Sequence, residues 1–594
     1  MSKTIIQHLK ELRQAMSNKG IDLYIQPSAD PHLSEYVADR FKGREHLTGF
    51  TGSAGTLLIT QSEAVCYTDG RYFIQAEKEL EGSSVSLMKL STNGYPSISE
   101  WIQSQCVDGS CIGLDGRLYA TTDFLNLQSS LESLNLSYQT DLDLLEDTWK
   151  ERPDFPTSPI FVHELHYTGL SAKDKISAIQ EQLKQTLATT YLMTSLNDIA
   201  WLFNIRANDV AYTPVAYAYA IISLECATLY VNPKQLNEEV THHLSTNTIQ
   251  TKDYRDFYAD LADLSNSTIL LDPNKTNALT TSLIASSNKV LHKDDPTYMM
   301  KAQLHPIEKE NLHRAQIRDG VAMVNFLAWF DSAIPAGNVT EKEAEQQIEY
   351  FRSQQNLYIE PSFKTIPAYG PNGAMMHYST PEINSPLIGN EGLFLLDSGG
   401  QYFDGTTDIT RTIATGPLSD EAIRDFTLVL KAHINLNQLT FLEGITGTNI
   451  DIIARQCMWA NHMDYKSGTG HSIGYLLGVH EGPGRIRKET SDVVLRPGMI
   501  LTNEPGVYKE GKYGIRIENT LLVNKVTSNE TGSYLNFKVI SYCPIDLRCI
   551  DATLLEAKEL DWLNTYHKKV NLLLSPHLDP KTKAWLDQAT QSLT

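Results

Sequence analysis

Near the amino end Ile5, Leu9, Leu12 and Met16 recur every three to four residues with Lys10, Glu11 and Arg13 between them. That is the period of one face of an amphipathic helix, and it lacks the continuous apolar run of a signal peptide. From Leu23 the period changes. LYIQPS (23–28) and GTLLIT (55–60) read as strands, and SEYVADRF (34–41) and YFIQAEKEL (72–80) as helices. This predicts an α/β unit that closes near Glu151, Arg152 and Pro153, with the proline-rich DFPTSPIF (154–161) as a linker. A second unit follows: helix 172–185, strand 190–196, helix 197–205, then strands 217–224 and 227–233. Its order echoes the first unit closely enough to predict a duplicated fold. A long helical stretch, 306–333, carries apolar residues at Ile317, Val321, Val324, Leu327 and Ala328, and another helix is expected within 552–574. The predicted class is α/β (α+β), with domains at 1–153, 154–305, 306–535 and 536–594.

Length supports the division, because 594 residues exceed what one hydrophobic core serves. The formal net charge of −21 disfavours phosphate backbones and anionic lipid as partners, so neither nucleic acid nor membrane is expected. It would attract a cationic group such as the free amino end of a peptide, although solubility alone would also explain it. The longest apolar stretch, Val215 to Val231, is interrupted by Glu225 and does not read as a membrane span. Seven cysteines, an odd number without CxxC spacing, fit free thiols in the cytoplasm.

The chemistry-bearing residues lie in the third region. In FLLDSGGQYFDGTTDITRT (394–412) an apolar strand ends at Asp397, GG and DG signal turns, and the alternation around Asp408, Thr410 and Thr412 marks a returning strand. A hairpin there would set Asp397 and Asp408 side by side, and two such carboxylates repel unless a cation separates them. His471 sits among small residues in SGTGHSIGYLLGVHEGP (467–483), with His480 nine residues on. Glu504 ends the strand MILTN before a Pro-Gly turn, and in YGIRIENTLLV (513–523) Arg516 and Glu518 are expected to share one strand face. Glu518 then needs Arg516 or a metal as partner. Each residue alone is more often a turn or core residue. Together, four carboxylates and an imidazole form a donor set for two divalent ions, suited to Mn2+, Co2+, Zn2+ or Fe2+.

The ordered motifs DSG, DGTTDITRT, GTGH, VHEGP, NEPGVY and GIRIEN resemble the pita-bread metallopeptidases, and AYGPNGAMMHYSTP (368–381) resembles the histidine segment of their aminopeptidase P (Xaa-Pro aminopeptidase) branch. The resemblance spans the chain. Segments 34–59 and 67–80 look like that branch's first amino-terminal domain, 195–222 like its second, and DWLNTYH (561–567) like its carboxyl end. It implies two creatinase-like domains followed by a pita-bread catalytic domain, acting as a cytoplasmic homodimer. It implies that Asp397, Asp408, His471, Glu504 and Glu518 bind the metals, with Asp408 and Glu518 bridging and Glu504 also shuttling a proton. His377 and His480 would hold substrate and its tetrahedral intermediate. Arg71, acting across a dimer, and Arg516 would add substrate contacts. The implied reaction is attack of a metal-bridging hydroxide on the Xaa-Pro bond of a peptide, which frees the amino-terminal residue. Ser472 departs from the glycine usual after the ligand histidine. Three alternatives share part of the pattern: a prolidase restricted to dipeptides, a creatinase-like amidinohydrolase, and a catalytically silent scaffold.

Overall fold

A computed structural model describes residues 2–594. The chain divides into two compact units, Met1–His163 with Leu170–Thr297, and Glu164–Gly169 with Tyr298–Thr594.

In the first unit helix α1 (Ser2–Lys19) buries Ile5, Leu9, Leu12 and Met16, the stripe its sequence period predicts. Beside it lies a six-stranded sheet of β1 (Leu23–Pro27), β2 (Thr56–Thr60), β3 (Ala64–Thr68), β4 (Ser86–Lys89), β5 (Cys111–Leu114) and β6 (Ser137–Gln139). Its order is β4-β3-β2-β1-β5-β6. After α2 (Ala172–Thr186) a second six-stranded sheet forms from β7 (Thr190–Met193), β8 (Ala218–Ser223), β9 (Ala227–Val231), β10 (Ile249–Lys252), β11 (Thr268–Leu271) and β12 (Lys289–His292). Its order is β10-β9-β8-β7-β11-β12. In both sheets the meander of three is antiparallel and every other pairing is parallel. The two halves therefore share one topology, as the repeated element order suggests.

SEYVADRF does not form the expected α-helix; only Asp39–Phe41 makes a 3-10 turn. The backbone there is engaged elsewhere. Asp30 accepts from the amides of His32 and Ser34, and the Ala38 amide donates to the Tyr217 hydroxyl. The Asp30 turn and one tertiary hydrogen bond outweigh a weak local propensity.

The second unit is organised by helix α3 (Pro306–Ala333), which starts with proline in its first turn and a His305/Glu308 capping box. Helices α4 (Glu341–Ser353), α5 (Asp420–Asn437), α6 (Gly447–Trp459) and α7 (Ala557–Leu574) follow. The strands that matter for the site are β13 (Ile366–Tyr369), β14 (Leu393–Ser398), β15 (Ile409–Ala414), β16 (Ile500–Asn503), β17 (Gly506–Lys509), β18 (Tyr513–Arg516), β19 (Asn519–Asn529) and β20 (Gly532–Val539). β14 lies between antiparallel β13 and β15, with Asp397 opposite Ile366 on one side and Thr410 on the other. YGIRIENTLLV is not one strand. β18 pairs with β17, whereas β19 pairs with β16 and β20, so the chain changes partner at Ile517 and Glu518. Among the described residues no helix is long and apolar enough to cross a membrane.

Candidate active site

The β14/β15 hairpin brings the first two carboxylates together. Asp397 lies within β14, and Asp408 immediately precedes Ile409, the register partner of Ser398. Glu518 joins them because its amide donates to the Thr410 carbonyl at 3.1 Å. Glu504 follows the last residue of β16, and its amide donates to the Thr469 carbonyl at 2.8 Å, which draws in the segment carrying His471. Gly470 makes that approach feasible, since a Cβ there would lie 2.0 Å from the Thr502 carbonyl oxygen.

The imidazole of His471 sits between two acids, its Nε2 3.5 Å from Asp408 Oδ2 and 3.4 Å from Glu504 Oε1. Ligating atoms of Asp408, His471 and Glu518 all fall within 4.8 Å of one another. Thr410 Oγ1 donates to Glu518 Oε2 at 2.7 Å and accepts from Arg516 Nε at 3.1 Å. Arg516 also donates to Tyr508 Oη at 2.7 Å and to Asp397 Oδ2. Arg516 thus pairs directly with Asp397 and meets Glu518 through the Thr410 hydroxyl, on the shared face that strand alternation predicts.

Four buried or nearly buried carboxylates face a single guanidinium. Burial, followed by repulsion from Asp397 and Glu504, pushes Asp408 well above the ordinary carboxylate range. Glu518 is raised likewise, by burial first and Asp408 next. Burial lifts Glu504 to about 7, with Arg516 pulling down and Asp397 pushing up. Asp397 Oδ1 and Glu518 Oε1 are buried without a hydrogen-bond partner among the described residues. Acceptor-only oxygens left unpaired beside repelling neighbours are what a cation would relieve, and one imidazole with several carboxylates is a fitting donor set for divalent ions.

The remaining expected residues fall around this cluster. His480 is exposed, its ring 4.4 Å from that of His471 in an edge-on arrangement. The neighbouring Glu481 pairs with Lys301, and both are buried. His377 is half-buried on the loop between β13 and β14. Arg71 belongs to the first unit, where it holds Asp69 through two contacts of 2.8 Å. Asp404, a neighbour in the acidic motif, pairs with Arg318. Ser472 does not crowd the cluster; its hydroxyl accepts from the Gly484 amide at 3.0 Å.

Several contributors gave little sign in the sequence. Thr410, Tyr508 and His433 are ordinary residues until register and helix packing place them. Arg411 is another, fully buried behind the cluster. It donates to the carbonyls of Glu518, Cys543 and Pro544 and to the Tyr566 hydroxyl, tying the carboxyl-terminal segment to the strand that presents Asp408.

Comparison with known proteins agrees with this architecture. Residues 310–525 match metallopeptidase family M24, and 533–593 match the C-terminal region of that peptidase family. Residues 8–143 and 151–308 each match a creatinase/prolidase N-terminal domain. The chain is 36% identical over 618 residues to a probable Xaa-Pro aminopeptidase P of Neurospora crassa, covering 99% of this chain and 89% of that protein. It is 35% identical to aminopeptidase P1 of Lotus japonicus, with 98% and 99% covered. A crystal structure of an X-prolyl aminopeptidase from Caenorhabditis elegans, described as a cytosolic enzyme with a di-nuclear active site, superposes with a TM-score of 0.94 at 32% identity, covering 99% of this chain and all of that one. With full-length relatives at this identity, and with a carboxylate–histidine cluster in the matched region, the chain belongs to metallopeptidase family M24.

Proposed function

We propose that the protein is a metal-dependent aminopeptidase that releases the amino-terminal residue of peptides with proline in second position. The observation that carries this reading is the convergence of Asp408, His471 and Glu518 within ligating distance of one another, with Asp397 and Glu504 repelling the same carboxylates. The names of the full-length relatives support the Xaa-Pro specificity. Asp397, Asp408, His471, Glu504 and Glu518 would hold two divalent ions. When bound, such ions supply Lewis acidity and make water a nucleophile near neutral pH.

The chain's own groups do the rest. The acidic balance of the protein as a whole favours the cationic amino end of a peptide, the end at which cleavage is proposed. Glu504, set beside His471 at the end of β16, is placed to pass a proton to the leaving proline nitrogen. His480, held against His471, is placed to donate to the oxyanion of the tetrahedral intermediate, and His377 to position the peptide. Arg516 pairs with Asp397, and a contact from its guanidinium to substrate belongs to the same reading. Manganese as the working ion, a homodimer in which Arg71 of one subunit serves the other, and a cytoplasmic location complete the reading. Seven unpaired thiols are consistent with that location.

The test is incubation of the purified protein with Mn2+ and Arg-Pro-Pro, beside a proline-free tripeptide and an Xaa-Pro dipeptide. Release of arginine from Arg-Pro-Pro alone supports the proposal. Faster cleavage of the dipeptide would make the protein a prolidase, and inactivity with every divalent ion would make it a scaffold.

A further inference from the structure

Glu341 is the first residue of α4, yet that helix end is already satisfied by Thr340 and Glu343, which form a capping box. The Glu341 side chain is free for another task. It is fully buried and spends both oxygens on one loop. Oε1 accepts from the Tyr369 amide at 2.7 Å and from Asn372 Nδ2 at 3.0 Å, and Oε2 accepts from the Tyr378 hydroxyl at 2.5 Å. Asn372 Nδ2 also lies 3.2 Å from the Tyr378 hydroxyl. All these donors are neutral, and burying a carboxylate among neutral donors is unfavourable unless each bond is made.

The three donors stand at the start, middle and end of one segment, Tyr369 to Tyr378, and His377 is the residue before the last of them. Tyr378 packs with Ile366, Ala368 and Leu395. Leu395 and Asp397 alternate onto the same face of β14, and Ile366 is the cross-strand partner of Asp397 on that face. The phenol held by Glu341 therefore rests on the sheet face that bears the Asp397 carboxylate. A second anchor lies midway, where Gly373 meets the backbone of Gly514 so closely that a Cβ on Gly514 would fall 1.7 Å from the Gly373 carbonyl oxygen. Gly514 is two residues from Arg516. Lys364 Nζ, 2.5 Å from Ser379 Oγ, holds the chain just beyond.

We propose that Glu341 is a positioning residue for His377, clamping both ends of the Tyr369–Tyr378 loop through Tyr378, Asn372 and the Tyr369 amide so that the imidazole is presented beside the Asp397 strand. The proposal rests on the role given to His377 above. Glu341→Gln keeps the shape but replaces one acceptor by an N–H that must face a donor, and Tyr378→Phe removes one anchor from the other side.

The experiment is a double-mutant cycle on the Mn2+-loaded enzyme with Arg-Pro-Pro, joined to hydrogen exchange on the metal-free protein. Glu341→Gln should lower kcat by about tenfold or more with KM little moved, because misplacing a catalytic group acts on turnover. In a His377→Ala background the same substitution should change kcat by less than about twofold, since residues acting through one another are not additive. Amides of 369–378 should exchange faster in metal-free Glu341→Gln and in Tyr378→Phe, while the melting temperature of Tyr378→Phe stays near that of the parent. Losses that add in the double variant, or unchanged exchange in that loop, would overturn the positioning role while leaving that of His377 intact. Full turnover in His377→Ala would remove both together.

Discussion

Asn519 Nδ2 lies 3.0 Å from Nε2 of the buried His433, and the direction of that bond is fixed. Arg411 donates to Asn519 Oδ1 at 2.8 Å, so the amide must offer its NH2 to the imidazole, whose Nε2 can only accept. The other nitrogen, Nδ1, is then the protonated one and donates to the Asn503 carbonyl at 3.1 Å. Asn503 precedes Glu504 and Asn519 follows Glu518. A neutral imidazole thus ties together the two backbone segments that deliver those carboxylates.

Acid should break this tie. Burial first, and Arg411 next, push His433 down from 6.5 to about 3. The folded value is lowered, so its stabilising contribution is complete above the unfolded value of 6.5 and is lost as pH falls from there toward 3. Each pH unit in that window removes about 1.4 kcal/mol. Metal-loaded protein should therefore lose stability between pH 6.5 and 4.5 more steeply than metal-loaded His433→Gln, by about 2–3 kcal/mol in total. Denaturant titrations at matched pH measure the difference, and parallel curves would show that His433 does not titrate with folding.

The metal-free protein should behave in the opposite sense. Glu504 at about 7, and Asp408 and Glu518 well above their ordinary values, bind protons more tightly folded than unfolded. The stability this confers is greatest below their unfolded values and is lost as pH rises, for Glu504 through the window from about 4.5 to about 7. Protein treated with a chelator should melt lower at pH 7.5 than at pH 5.5, and adding Mn2+ should restore most of the loss at pH 7.5. Scanning calorimetry with and without metal checks both. A chelated protein whose melting point is flat across that range would mean the carboxylates do not repel as placed.

Much of this was legible in the sequence, and the limits are instructive. Asp397, Asp408, His471, Glu504 and Glu518 stand at strand ends and in glycine-rich turns, where a local pattern flags them. The duplicated topology of the first unit shows in its element order, and the α1 stripe in its period. What failed depends on pairing between distant segments. Alternation expected Arg516 and Glu518 on one face, and both do reach the Thr410 hydroxyl, but the direct pairing of Arg516 with Asp397 on a distant strand had no local sign. SEYVADRF has a helical look that Asp30 and Tyr217 override. His433 is a lone histidine on a helix, and nothing local distinguishes it from a packing residue until Asn503 and Asn519 are brought to it.

Thr410 is the other such residue, and a substitution isolates its role. Its hydroxyl donates to Glu518 and accepts from Arg516, orienting a carboxylate whose remaining oxygen has no partner. Thr410→Val keeps the β-branched shape and removes both bonds. Groups that orient a ligating carboxylate typically contribute a factor of about 10–100 in metal affinity. Isothermal titration of the metal-free variant with Mn2+ should show a loss of that size, and an unchanged affinity would mean that Glu518 is oriented by the backbone alone.

Ser472 separates binding of metal from handling of substrate. It is held to the His480 segment three times: its amide donates to the Gly484 carbonyl at 2.8 Å, its carbonyl accepts from the Glu481 amide at 3.1 Å, and its hydroxyl accepts from the Gly484 amide at 3.0 Å. Ser472→Gly keeps the two backbone bonds and leaves the Gly484 amide without its acceptor, a loss of about 1–3 kcal/mol for a buried donor. The weakened segment carries His480, whereas His471 stays fixed through its own amide to Thr502 Oγ1 at 3.1 Å. Metal content should therefore be unchanged while kcat falls about three- to tenfold, the displacement of His480 weakening oxyanion stabilisation by part of what a full donor supplies. His480→Ala should keep its metal as well and lose roughly a hundredfold or more. Elemental analysis beside steady-state kinetics distinguishes the outcomes: metal lost in either variant would place His480 among the ligands, and a Ser472→Gly enzyme as fast as its parent would show that the hydroxyl does not fix the imidazole.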